Sequence, residues 1–71
     1  MKRIERPYNA AYDVHLPEQT IEGLSYDAAK HVALASSLNT RVTISTKLGE
    51  DRYWVECYKD GAFNSQWIGG E

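Results

Sequence analysis

The chain has 71 residues, which is enough for one small domain with a modest hydrophobic core. Hydrophobic residues make up 42 % of the sequence, and this content excludes the intrinsically disordered class. Eight basic and ten acidic residues give a net charge of −2, which argues against both a dedicated duplex-DNA binder and a heavily acidic DNA mimic. Protein or small-molecule partners remain the easier interpretation.

The lone cysteine, Cys57, cannot form an internal disulfide, and its surroundings in the sequence lack metal-ligand spacing. We therefore expect neither a metal site nor a cofactor. No apolar run reaches the roughly 18 residues that span a bilayer, and the first residues lack the apolar segment of a signal peptide. These features predict a cytoplasmic protein with one domain over residues 1–71, frayed at 1–7 and 69–71.

The first predicted element is a half-buried strand from Tyr8 to Leu16, in which apolar residues alternate with Asp13 and His15. Pro17 removes a backbone donor and ends this strand. Residues 19–23 are predicted to form a short second strand around Ile21.

A helix is predicted from Tyr26 to Leu38, with Ser25 as its N-cap and no internal Gly or Pro. A helical wheel predicts a buried stripe of small residues, so that the helix lies close to a sheet. The stripe contains Ala28, Val32, Ala35 and Leu38. The residues predicted to lie opposite it are Tyr26, Lys30, Ala33 and Ser37.

Three further strands are predicted at residues 41–48, 52–58 and 62–68, the last two joined by a Lys59-Asp60-Gly61 turn. The fold class is therefore α+β. We expect a four- to five-stranded antiparallel sheet with a single helix packed on one face, in the order β-β-α-β-β-β.

The register of the last hairpin has two alternatives. A two-residue Asp60-Gly61 turn groups Trp54, Tyr58, Phe63 and Trp67 on one face. A three-residue turn instead joins Phe63 and Trp67 to Tyr53, Val55 and Cys57. We prefer the second alternative because it gives one coherent apolar face for the helix.

This preference leaves Trp54 and Tyr58 on a solvent-facing side of the sheet. The polar residues predicted to surround them are Arg41, Thr43, Ser45, Lys47, Glu56, Asn64 and Gln66. Exposed aromatic residues among polar ones favour a protein interface. They also suit stacking of single-stranded bases, with Arg41 and Lys47 on phosphates. A purely structural cross-strand pair of Trp54 and Tyr58 is the third interpretation.

Catalysis is not expected. A Cys57–His31 pair is the one route to nucleophilic chemistry, yet it lacks an orienting Asn or Asp, and Cys57 is predicted to face the core. We therefore expect a binding protein, either a monomer or a homodimer that pairs its open faces.

The stretch from Thr20 to Trp67 resembles a small phage-encoded anti-CRISPR protein of the type I-F inhibitors. The resemblance is carried by Thr20-Ile21-Glu22, Leu24-Ser25 before the helix start Ala29-Lys30-His31, the pair Trp54-Val55, the Lys59-Asp60-Gly61 turn and Trp67. It implies a phage protein in the host-cell cytoplasm that binds backbone subunits of a crRNA-guided surveillance complex and blocks target DNA binding. Contacts in that family are largely basic and polar. The resemblance therefore points to Lys30, Arg41, Lys47 and the aromatic Trp54, beside which the predicted open face adds Tyr58 and Gln66.

Overall fold

The computed structural model describes residue 7 and residues 10–69 of the chain. Within this part, five strands and one helix follow one another in the predicted order. They are β1 (Tyr12–His15), β2 (Thr20–Leu24), α1 (Tyr26–Ser36), β3 (Val42–Gly49), β4 (Arg52–Lys59) and β5 (Ala62–Gly69). The strands form one antiparallel sheet in the order β2-β1-β3-β4-β5, and α1 packs on β1, β3 and β4. The predicted α+β fold is confirmed.

The ends of the elements differ from the prediction by a few residues. Strand β1 begins at Tyr12 instead of Tyr8, and residues 8 and 9 lie outside the described residues. Of the termini predicted to fray, residues 1–6, 70 and 71 also lie outside them. Gly69 is the last residue of β5 and pairs with Tyr53.

Helix α1 begins where the sequence predicts, but it buries a different face. The Ser25 hydroxyl accepts a hydrogen bond from the Ala28 backbone N–H at 3.3 Å, as an N-cap does. Ala29, Ala33 and Ser37 are fully buried, whereas Leu38 is 63 % exposed. The predicted stripe through Ala28 and Leu38 was therefore wrong, although the expectation of a helix with small residues against the sheet is confirmed.

The hairpin between β3 and β4 contains a bulge that decides which face each β4 side chain occupies. Lys47 pairs with Tyr53 and Gly49 pairs with Arg52, so Leu48 is an extra residue on β3. Because side chains alternate along a strand, one inserted residue moves every β4 side chain to the face opposite the one expected. As a result, Trp54 pairs with Thr46, on the helix side of the sheet.

The hairpin between β4 and β5 combines a tight turn with a second bulge. Lys59 pairs with Ala62 across a two-residue turn in which Asp60 (φ 55°) and Gly61 (φ 75°) are both left-handed, as a type I′ turn requires. The three-residue turn was therefore wrong. Asn64 is a bulge residue, since Tyr58 pairs with Phe63 while Cys57 pairs with Ser65. The bulge places Phe63 on the helix side and Trp67 on the other side, so neither predicted register is observed.

The core is an aromatic cluster beneath the small residues of α1. The rings of Tyr12, Tyr26 and Trp54 meet edge to face, with centroids 5.4–6.0 Å apart. Edge-to-face contacts of this kind stabilise a cluster beyond the area that they bury. Ala29 and Ala33 carry only methyl groups, which leaves room for the rings below them. Among the described residues, no helix is long and apolar enough to cross a membrane.

Candidate binding face of the sheet

The structure corrects the placement of the two aromatic residues on which the predicted site was centred. Trp54 and Tyr58 are each 1 % exposed and belong to the core under α1. Tyr58 contacts Phe63 edge to face, with the ring centroids 6.0 Å apart. Neither side chain is accessible to a partner in this structure. The Leu48 bulge is the physical reason, because it turns both side chains towards the helix.

Glu56 is buried between these two aromatic residues of β4, and the prediction that it lies on the open face was also wrong. It is 2 % exposed, and its Oε1 accepts hydrogen bonds from the Tyr26 hydroxyl at 2.7 Å and the Tyr58 hydroxyl at 2.9 Å. Burial, followed by the hydrogen bonds with Tyr26 and Glu56, raises the pKa of Tyr58 well above its ordinary value. Both phenols therefore serve as donors that hold a buried carboxyl group and link the helix to the sheet.

The opposite face of the sheet is covered by no described helix, and we call it the open face. Its apolar centre is formed by Tyr53 and Val55 of β4 and Trp67 of β5. Val55 and Trp67 are direct cross-strand partners, and Tyr53 lies diagonally beside them because it pairs with Gly69. Trp67 remains 36 % exposed, and Tyr53 and Val55 are half-buried. These three side chains form an apolar patch on a polar surface.

Three cations lie on the same face of the sheet as this patch. Arg41 and Lys47 are exposed on the open face, as predicted, and the alternation of β4 adds Lys59 to the same side. Strands β3 and β4 contribute no carboxylate to this face, because Glu56, the one acidic residue in the two strands, is buried under α1. Strand β1 does add a carboxylate to this side, because Asp13 pairs with Ser45. The cations of the open face therefore come from β3, its approach and β4, and they share the face with Asp13.

Three side-chain contacts on the open face were not predicted from the sequence. His15 Nε2 lies 2.7 Å from Ser45 Oγ, and His15 Nδ1 lies 3.4 Å from Thr20 Oγ1, so the imidazole links β1, β2 and β3. Arg41 Nε donates to Cys57 Sγ at 3.0 Å. The sequence contains one signal for these contacts, namely the period-two alternation, which places His15, Arg41 and Ser45 on the polar sides of their strands.

The remaining predicted site residues do not join this face. Gln66 pairs with Glu56 and is therefore on the helix side of β5. Lys30 is exposed on α1, on the other side of the sheet from Arg41 and Lys47. Cys57 is fully buried on the open-face side of β4, so the sheet separates it from His31, which is exposed on α1. Arg41 and Lys47, together with Thr43 and Ser45, are thus the predicted residues that the structure places on the open side of the sheet.

Tyr53, Val55 and Trp67 are the site residues that sequence reasoning missed, since it assigned them to the core. In the described ranges, no group of three or more His, Cys, Asp or Glu residues is arranged to hold a metal ion. No known family model matches this chain. Comparisons with curated proteins and with solved structures likewise find no match.

Proposed function

We propose that this protein is a non-catalytic binding module whose interface is the open face of the sheet. The observation that carries the proposal is the apolar patch of Tyr53, Val55 and Trp67 on a face that also carries exposed cations. Tryptophan, tyrosine and arginine dominate the energetic centres of protein interfaces, particularly where polar residues surround an apolar centre. The open face has this composition.

Charge narrows the class of partner. Arg41, Lys47 and Lys59 are the charged residues that β3, its approach and β4 place on the open face, and they outnumber Asp13, the carboxylate that β1 adds to the same side. A complementary surface carries acidic groups around an apolar contact, because like charges at an interface are unfavourable. We therefore propose a protein partner with an acidic rim.

The most concrete partner is the one that the sequence resemblance implies, namely a backbone subunit of a type I crRNA-guided surveillance complex. On this proposal the protein is a phage or mobile-element inhibitor in the host-cell cytoplasm that blocks target DNA binding. Arg41 and Lys47 keep their proposed contact role. Trp67 and Tyr53 take the aromatic role first assigned to Trp54 and Tyr58, because those two side chains are buried.

The test is a pull-down with a purified type I surveillance complex, combined with an assay of target DNA cleavage. We expect wild-type protein to bind the complex and suppress cleavage, and Trp67→Ala and Lys47→Glu each to lose binding. Lys30→Glu is the matched control, since it makes the same charge change on an exposed residue of α1. Failure of the wild-type protein to bind or inhibit contradicts the choice of partner. Equal losses in Lys30→Glu and Lys47→Glu contradict the choice of face.

Single-stranded nucleic acid is a second candidate partner for the same face. Tyr53 and Trp67 offer two rings on adjacent strands, while Arg41, Lys47 and Lys59 suit a phosphate backbone. This alternative predicts an electrophoretic shift of single-stranded oligonucleotides that weakens steeply with salt and is lost in Trp67→Ala. The absence of a shift at low salt contradicts it.

A further inference from the structure

Arg41 is held on the open face by a thiol. Its Nε donates to Cys57 Sγ at 3.0 Å, and Cys57 is fully buried although no described helix covers that face. The guanidinium therefore lies against the sheet, over the thiol. This bond uses the Nε–H donor and leaves the two terminal Nη groups, which form the fork that binds a carboxylate through both of its oxygens.

A second cation lies directly across from Arg41. Val42 pairs with Tyr58, so one step further along the same register places Arg41 opposite Lys59. Both cations are exposed on the open face. In the described part of the chain, no carboxylate forms an ion pair with either of them. Like charges at opposed positions of antiparallel strands are destabilising, and an anion bound between them removes this repulsion.

The charges near this pair favour a singly charged anion. Asp60 follows Lys59 in the turn, and Glu18 lines the same cavity as Thr40, the residue before Arg41. Because like charges repel, these acidic groups oppose a doubly charged phosphate monoester more than a singly charged carboxylate. Among singly charged anions, a carboxylate agrees with the protein partner proposed for this face.

We propose that Arg41 and Lys59 form a binding site for one carboxylate of the protein partner, carried by an aspartate or glutamate side chain. The inference rests on the proposed function, because it takes the open face as the interface with a protein. The Arg41 fork binds both carboxylate oxygens, and the Lys59 ammonium adds a second positive charge from β4. Cys57 is a positioning residue, since its Sγ orients the guanidinium.

The register also indicates where this carboxylate lies relative to the apolar contact. Trp67 pairs with Val55, which precedes Lys59 by four residues on β4. At about 3.3 Å per residue, the site is about 13 Å from the apolar patch. A partner that covers both therefore presents an acidic side chain about 13 Å from its apolar anchor. This distance corresponds to about four residues of an extended strand or about nine residues of a helix.

The test is a titration of the isolated, isotope-labelled protein with sodium acetate, replacing sodium chloride at constant ionic strength. The arginine Nε–H signals are followed by NMR, and we expect a saturable shift at Arg41. Arg52 is the internal control, because it is also exposed but lies opposite Gly49, which carries no charge. Lys59→Gln is expected to weaken acetate binding at Arg41 about two- to fivefold, the size of one exposed charge interaction. Lys47→Gln is the matched control variant, since it removes the same charge towards the other end of β3.

The outcomes separate the site from the proposed function, because the titration requires no partner. A saturable shift at Arg41 supports the site even if the surveillance complex is not captured, and its absence overturns the site even if the complex is captured. Equal shifts at Arg41 and Arg52, or equal losses in Lys59→Gln and Lys47→Gln, also overturn it. Dimethyl phosphate is titrated in parallel, and tighter binding of this phosphodiester than of acetate overturns the choice of a carboxylate.

Discussion

Replacing Trp54 gives the strongest test of the packing under the helix. Its indole is 1 % exposed and contacts the rings of Tyr12 at 5.8 Å and Tyr26 at 6.0 Å between centroids. A buried tryptophan removes about 150–250 Å² from water, which corresponds to about 4–6 kcal/mol at about 25 cal/mol per Å². Measured losses for Trp→Ala in cores are about 3–5 kcal/mol. We therefore expect Trp54→Ala to lower the free energy of unfolding by about 4 kcal/mol.

This loss is large relative to the stability of such a small domain. A chain of 71 residues has a free energy of unfolding of roughly 4–10 kcal/mol. Trp54→Ala therefore leaves the domain marginally stable or unfolded at 25 °C. Trp54→Phe keeps the measurement possible if the alanine variant does not fold.

Trp54→Phe is expected to cost much less, about 1 kcal/mol. The smaller ring loses packing, but the substitution also removes an unfavourable group. Among the described residues, Trp54 Nε1 is buried without a hydrogen-bond partner, and a buried unsatisfied donor costs about 1–3 kcal/mol. The phenylalanine variant carries no such donor, which offsets part of the lost packing.

The assay is urea denaturation followed by circular dichroism, with Trp67→Phe as the control. Because Trp67 is 36 % exposed on the open face, its replacement by Phe is expected to change stability by less than about 1 kcal/mol. A Trp54→Ala variant as stable as wild type, beside a strongly destabilised Trp67→Phe, refutes the assignment of the two faces.

Three further predictions concern the polar core and the tight turn. Glu56→Ala leaves the hydroxyls of Tyr26 and Tyr58 without their acceptor, and we expect it to lower the free energy of unfolding, measured by urea denaturation, by about 3 kcal/mol. Glu56→Gln retains an acceptor and is expected to lower it less. The pKa of Tyr58 is raised in the folded state, so above about pH 10 the folded protein keeps a proton that the unfolded chain releases. The free energy of unfolding therefore falls there with rising pH, by up to about 1.4 kcal/mol per pH unit. Tyr58→Phe is expected to flatten this slope, and equal slopes in the two proteins between about pH 9 and pH 11.5 contradict the cause. Gly61→Ala is expected to lower the free energy of unfolding by about 1–3 kcal/mol and with it the melting temperature, because φ is +75° at this residue and the added Cβ lies 2.8 Å from Leu38 Cδ2. An unchanged melting temperature contradicts this reason.

The elements could be predicted from the sequence because their signals are local. Ser25 marks the start of α1 through its own hydroxyl, and Pro17 and the Asp60-Gly61 pair mark the end of one strand and the turn between two others. Each of these signals depends on the conformational preference of one or two residues. The fold class followed from their order along the chain.

The faces of β4 and of the end of β5 could not be predicted, because they depend on two bulges without a distinctive local signal. Leu48 and Asn64 each add one residue to a strand, and each addition reverses the faces of the residues that follow. Both faces of β4 are rich in apolar residues, so alternation alone does not choose between them. Glu56 made the true inner face appear polar, because the sequence does not reveal that two tyrosine hydroxyls bind its carboxyl group.

Of the candidate site, the sequence therefore predicted the cations Arg41 and Lys47, but it did not predict Lys59 or the aromatic residues. Arg41 and Lys47 belong to β3 and its approach, which precede the Leu48 bulge, and the alternation of that strand correctly places them on the open face. The aromatic residues of β4 and β5 follow the bulge at Leu48. The prediction therefore placed Trp54 and Tyr58 on the open face and Tyr53 and Trp67 on the helix side, which is the reverse of the observed arrangement. A helix with Ala29 and Ala33 on its buried side requires large rings below it, and this volume argument was the available signal for Trp54 and Tyr58.

Fluorescence quenching of two single-tryptophan variants tests the assignment of the faces most directly. Trp67→Phe leaves Trp54 as the sole tryptophan, and Trp54→Phe leaves Trp67. We predict blue-shifted emission with little acrylamide quenching when Trp54 remains, and red-shifted, readily quenched emission when Trp67 remains. The reverse pattern, with Trp54 accessible to acrylamide and Trp67 protected, contradicts both the core and the binding face described for this protein.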